Sequence, residues 1–181
     1  MDMEIYCMRH GRTNFNDLGL CNDDPLCDVH LTEVGQAQAQ AAALALRAVR
    51  LQRILVSPLP RTRETAEIIN RHHAAPIEIH ADLADVRSGF DGRPVDDYFA
   101  ATSHDPLRAR VNGGESLLDH KLRVLRFIDW LVAQPDQAVL IVAHEETMRV
   151  FIAHFEGGVD DERLRDIHVG NCEYRHYVLS R

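Results

Sequence analysis

Residues 137–143 (Gln, Ala, Val, Leu, Ile, Val, Ala) restrict the fold of this chain more than any other stretch. The run is short, apolar and rich in β-branched residues, which marks a strand buried inside a sheet. Residues 4–8 and 53–57 read as further buried strands, 76–80 alternates as a third parallel candidate, and 172–179 reads as a last strand. Between them lie helical patterns. Thr32 is an N-cap for a helix to about residue 50, and Pro58 opens a second helix to about 72. A third runs from Glu115 to Ala133, and a fourth follows His144 to about Phe155. Strands alternating with helices predict an α/β fold, three layers deep (α/β/α), with a mainly parallel central sheet. The 181 residues suit one domain. Residues 12–30 read as a long polar loop, and 81–114 as an irregular, lid-like excursion over the sheet.

Composition narrows the function classes. The net charge is −8, and no Lys/Arg cluster suggests a nucleic-acid face. No apolar run approaches the ~20 residues of a membrane span, and the acidic start lacks the basic region of a signal peptide. Cytoplasm is the expected compartment, with no membrane partner. Four cysteines make no disulfide framework. Cys7 reads as a small core residue. Cys21, Cys27 and His30 lack the tight pairing of a zinc site, so no metal is expected.

Three segments share a position that matters for chemistry. His10, residues 57–61 and His144 each fall just past the C-terminal end of an expected strand, the edge where open α/β sheets bind ligands. Arginine offers a rigid fork for phosphate oxygens, and a neutral, oriented histidine can attack phosphorus. A second histidine can donate to oxygens as charge develops.

Arg9-His10-Gly11-Arg12-Thr13-Asn14-Phe15-Asn16 resembles the arginine-histidine-glycine signature of the histidine phosphatase superfamily, also called phosphoglycerate-mutase-like. Four further stretches resemble that family in order: residues 31–39, residues 57–66, Asn112-Gly113-Gly114-Glu115-Ser116, and Val142-Ala143-His144. The resemblance implies that His10 is a nucleophile that becomes a phosphohistidine. Arg9, Arg61 and His144 would hold the phosphoryl group, with Asn16 adding a hydrogen bond. Arg63, two positions from Arg61, reads as a solvated helix residue. The family segment that usually supplies a glutamate as proton donor carries Asp85 here, and the acidic Glu145 beside His144 is the alternative donor.

The function these matches imply is a metal-independent phosphomonoester hydrolase acting on a small phosphorylated metabolite, without a cofactor. The alternatives are a cofactor-dependent phosphoglycerate-type mutase, a phosphohistidine-protein phosphatase, or a noncatalytic phosphate-binding regulator. The short covering segment favours hydrolysis over transfer. Residues 86–111 and 17–30, which would set specificity, carry no transferable motif, and neither substrate nor oligomeric state follows from them. His72, His73 and His80 read as exposed element-end residues, Asp160-Asp161-Glu162 as a solvated helix start, and Phe127, Trp130 and Leu131 as core.

Overall fold

Alternation along the first strand decides the layering. In a computed structural model, which describes residues 2–180, β1 (Met3–Arg9) directs Met3, Ile5 and Cys7 into one core and Tyr6 and Met8 into another. All five are buried, so both faces of the sheet need a cover. Among the described residues the sheet has five strands. Their order is β3 (Ile77–Ile79), β2 (Arg53–Val56), β4 (Ala138–Ala143), β1, β5 (Tyr174–Leu179). The first four are parallel, and β5 pairs antiparallel with β1.

Helices α2 (Glu33–Leu46) and α3 (Pro60–Asn70) cover one face, packing Ala42, Ala43, Leu46, Ala66 and Ile69 on Tyr6, Met8, Ile54 and Val142. Helices α5 (Leu117–Val132) and α6 (Glu145–Glu156) cover the other, with Phe127, Ile128, Leu131, Met148 and Phe151 on Ile5, Cys7 and Ile141. This is the expected α/β arrangement. Phe127, fully buried against Phe151, is a contact whose truncation to alanine costs about 3–5 kcal/mol.

The helix starts follow local chemistry. Thr32 caps α2 by accepting from Gly35 N–H at 3.1 Å, and Ser116 forms a reciprocal capping box with Asp119. The second helix begins at Pro60, two residues later than expected. Ser57 Oγ accepts the Leu59 N–H at 3.0 Å, and this turn delays the helix until Pro60 occupies its first position. Helix α2 stops at Leu46, before residue 50.

The two segments read as irregular contain structure. The 12–30 loop holds α1 (Asn14–Leu18), and 81–114 holds a 3₁₀ turn (Ala81–Leu83) and α4 (Val95–Thr102). Neither helix has the length to show a clear apolar period. Leu20 bridges Pro94, which joins the two segments. His80 is half-buried, 4.8 Å from the Phe127 ring and 4.7 Å from that of Trp130, and so is not the exposed strand-end residue expected. Asp161–Asp166 forms a 3₁₀ helix.

Candidate active site

Strand register brings the chemistry together. Arg9 lies opposite Ala143 and Val56 opposite Val142, so β1, β2 and β4 end near one level. The next residue in each chain is His10, Ser57 or His144, and His10 N–H donates to Ala143 O at 3.0 Å. Gly11 and Gly35 face each other and let neighbouring backbone close in. A Cβ on Gly35 would lie 2.0 Å from Arg12 O, so the start of α2 packs directly on the Arg9–Arg12 turn.

His10 is 3% exposed, and its Nδ1 lies 2.7 Å from Gly11 O. A carbonyl only accepts, so Nδ1 carries the ring proton and Nε2 keeps its lone pair. Arg61 Nε donates to that Nε2 at 3.3 Å. Burial first, then the Arg61 charge and His144, hold the His10 pKa well below its ordinary 6.5, against the opposing Gly11 hydrogen bond. The ring is neutral at pH 7.

Arg61, in the first turn of α3, is buried and clamped. Nη1 donates to Asn22 Oδ1 at 2.6 Å, and Nη2 to Asn22 O at 3.1 Å and Asp85 Oδ2 at 3.3 Å. His144 is fully buried, with Nε2 2.8 Å from Ser57 Oγ and Nδ1 3.6 Å from Asp85 Oδ2. The Asp85 carboxylate facing Nδ1 favours the tautomer in which Nε2 accepts from the Ser57 hydroxyl. That tautomer puts the His144 proton on Nδ1, facing Asp85. Burial, then the Arg61 charge, holds the His144 pKa well below 6.5 as well. The His10 and His144 rings meet edge to face at 5.4 Å.

Arg9 donates to Val169 O at 2.6 Å through Nη1, which also lies 3.4 Å from Glu145 Oε2. Its buried Nε has no hydrogen-bond partner among the described residues. The two candidate carboxyls sit differently. Asp85 faces Arg61 and His144. Its backbone is held by Arg123, which donates to Asp82 O and Ala84 O at 2.8 Å each and to Asp85 O at 3.3 Å. Arg123 also pairs with buried Glu115 of the Gly-Gly-Glu-Ser turn. A Cβ on Gly114 would lie 2.4 Å from Arg87 O, so this turn can lie flat against the Asp85 segment only as glycine. Glu145 faces the other way. Its Oε1 accepts from Val169 N–H at 3.1 Å and lies 3.3 Å from Arg149 Nη2, and its Oε2 is beside Arg9.

Asn16 lines the same cavity, its Oδ1 accepting from Thr13 N–H at 3.0 Å in the α1 capping box. The structure thus brings His10, Arg9, Arg61, His144, Asp85, Asn16 and Glu145 to one place. Arg63 is exposed and paired with Glu67 on its own helix at 2.9 Å. Cys21 lines the cavity while His30 is exposed beside Asp28, so that sequence cluster is dispersed.

The family model of the histidine phosphatase superfamily (branch 1) matches residues 5–181. The chain belongs to this superfamily. It is 28% identical over 177 residues to the uncharacterized phosphatase PhoE of Bacillus subtilis, covering 95% of this chain and 89% of that protein. It is 32% identical over 160 residues to the adenosylcobalamin/alpha-ribazole phosphatase of Salmonella typhimurium, covering 83% of this chain and 78% of that one. Among solved structures, a putative alpha-ribazole-5'-P phosphatase from Escherichia coli superposes with a TM-score of 0.88 at 26% identity, over 99% of this chain and 91% of that chain.

Four residues of this histidine phosphatase site were not singled out in the sequence. Asn22 and Ser57 hold Arg61 and His144, while Arg149 and Arg123 hold Glu145 and the Asp85 segment. Ser57 carried a signal, standing at the head of residues 57–66, one of the stretches that resemble the family. Asn22 carried none, because it meets Arg61 across 39 positions of chain.

Proposed function

We propose that the chain is a metal-independent phosphomonoester hydrolase that works through a phosphohistidine on His10. One observation carries the reading: His10 Nδ1 is tied to Gly11 O, which leaves a neutral Nε2 lone pair beside Arg61 and 5.4 Å, ring to ring, from His144. The membership in a family with phosphatase relatives supports it.

A phosphoryl dianion fits among Arg9, Arg61 and His144, where two guanidinium groups offset its charge without a divalent ion. Nε2 attacks phosphorus, the bond from phosphorus to the leaving oxygen breaks, and Asp85 gives that oxygen its proton. Water then attacks the phosphohistidine. Its proton goes to Asp85, the phosphorus–nitrogen bond breaks, and phosphate leaves with His10 neutral again. Substrate oxygens compete for Arg61 Nη2 and His144 Nδ1, the groups that face Asp85 in the free protein. Their turn toward substrate leaves the Asp85 carboxyl facing the leaving oxygen. Glu145 is less free, since Arg149 and the Val169 N–H hold its Oε1 even when substrate draws Arg9 from its Oε2.

The test is rapid quenching with a labelled phosphomonoester. A phosphoramidate is acid-labile and base-stable, so label should stay on protein in alkali and leave in acid. His10→Ala should trap none. Activity should survive excess EDTA, and loss restored by Mg²⁺ or Zn²⁺ would overturn the metal-independent reading.

A further inference from the structure

The cavity above His10 has a volume of about 280 Å³, and its two ends differ in kind. Three cations line it: Arg9, Arg61 and Arg149. The first two flank the phosphoryl position. Arg149 is consumed within the protein, with Nε on Ile167 O at 2.7 Å, Nη1 on Glu146 at 2.9 Å and Nη2 on Glu145 at 3.3 Å. Three carboxylates, Asp85, Glu145 and Glu146, face these cations, and Glu146 is shared between Arg149 and Arg165. The cations left for a ligand, Arg9 and Arg61, serve one phosphoryl group, and among the described residues no uncommitted cation lines the rest of the cavity. The outer wall is instead largely apolar, with Phe15, Leu20, Val86, Val95 and Phe99 beside the polar Asn16 and Ser88. Phe99 is 44% exposed although its neighbour Tyr98 is buried, so an aromatic ring stands partly in water beside the cavity. Arg165 fixes it from behind. Its guanidinium lies 5.0 Å from the Phe99 ring and 5.3 Å from the Tyr98 ring, and it is held by Glu146 and the Tyr98 hydroxyl.

We propose that this cavity selects phosphomonoesters whose leaving group is uncharged and presents an aromatic or other apolar face, and selects against those carrying a second anionic group. The inference rests on the hydrolase reading. A second carboxylate or phosphate would enter beside Glu145 and Glu146 without a partner, whereas an apolar face would cover Phe99 and Val95. The mutase alternative fits poorly for the same reason, because a phosphoglycerate brings a carboxylate.

The test compares kcat/KM for 2-phenylethyl phosphate, glycerol 1-phosphate and 3-phosphoglycerate, with p-nitrophenyl phosphate as the control. All three are alkyl esters, so the leaving oxygen is an alkoxide in each. The phenylethyl ester should lead by at least about 10-fold, the scale on which an apolar pocket discriminates. Phe99→Ala should shrink that lead, and Phe99→Arg should raise 3-phosphoglycerate relative to the phenylethyl ester. Phe99 is exposed enough for either variant to fold. Equal or better turnover of glycerol 1-phosphate or 3-phosphoglycerate by the unaltered protein would overturn the inference while hydrolysis stands. So would an unchanged ratio in Phe99→Arg, or turnover of p-nitrophenyl phosphate alone. Failure on all four substrates would overturn the hydrolase reading, and the inference would fall with it.

Discussion

The floor and the outer wall of the cavity are built on different principles. On the floor, His10, Arg61 and His144 are fixed by directional hydrogen bonds to Gly11 O, Asn22 and Ser57, at the ends of buried strands or the start of a buried helix. The wall comes from the two covering segments, which are stitched together by backbone bonds such as Cys21 N–H to Arg93 O at 2.8 Å and Val95 N–H to Gly19 O at 2.9 Å. Its side chains are mostly apolar and make non-directional contacts. Change on the floor should therefore abolish the reaction, and change on the wall should alter which substrate reacts.

The largest expected effect tests the floor. His10→Ala should lower kcat/KM by at least about 10⁴-fold with the fold intact, since residues acting as one catalytic unit fail together. Near-normal turnover would break the contrast between floor and wall. Asp85 lies between the two regions. Asp85→Asn should cost about 10²–10⁴-fold against an alkyl phosphate, the usual range for a general acid. The loss should be much smaller with p-nitrophenyl phosphate, whose leaving group needs little protonation. Glu145→Gln should be mild on both substrates. The reverse pattern in parallel kinetics would transfer the role to Glu145.

The floor should also be visible in the pH dependence of stability. Burial holds His10 and His144 below 6.5, and likewise His120, fully buried on α5 away from the cavity lining, so below that pH the unfolded chain takes up protons that the folded one refuses. Unfolded protein then binds more protons, and stability is lost as pH falls from 6.5 toward the folded pKa values. Each histidine contributes up to about 1.4 kcal/mol per pH unit. Urea unfolding at pH 7.5 and 5.5 should show the loss, and His120→Gln should reduce it by removing one of the three. The same neutral His10 predicts that the acid limb of kcat/KM lies below 6.5, which a pH–rate profile would check. Equal stability at the two pH values would contradict the neutral, buried floor. The smallest effect belongs outside both regions. Arg63→Ala breaks only an exposed pair with Glu67, so it should cost less than about 0.5 kcal/mol and leave turnover near normal.

Much of the floor was legible in the chain alone. The strand around Val139–Val142 and its helical neighbours follow from apolar period. His10, Arg61 and His144 follow from their places just beyond strand ends or in an ordered motif. These are local signals, because a strand's burial and a helix cap are decided within a few residues. The boundaries that slipped were also local, as at Pro58, where the Ser57 turn competes with the helix start.

Other features were decided only when distant segments met. In one dimension Asp85 was the favoured donor and Glu145 the alternative; what separates them in space is that Asp85 faces Arg61 and His144 while Glu145 is tied to Arg9, Arg149 and Val169. Asn22 holds Arg61, and Arg123 holds the Asp85 backbone from 38 positions away. No local period encodes such contacts, since a side-chain hydrogen bond depends on where the backbone lies in space and leaves no repeat in the sequence. The sequence by itself determined the layered sheet and the placing of His10, Arg61 and His144 just past its strand ends, because hydrophobic alternation and strand ends are local properties. Only the tertiary structure decided which nitrogen of His10 is open, which carboxyl faces the site and what lines the wall, because each depends on partners that folding alone brings within bonding distance.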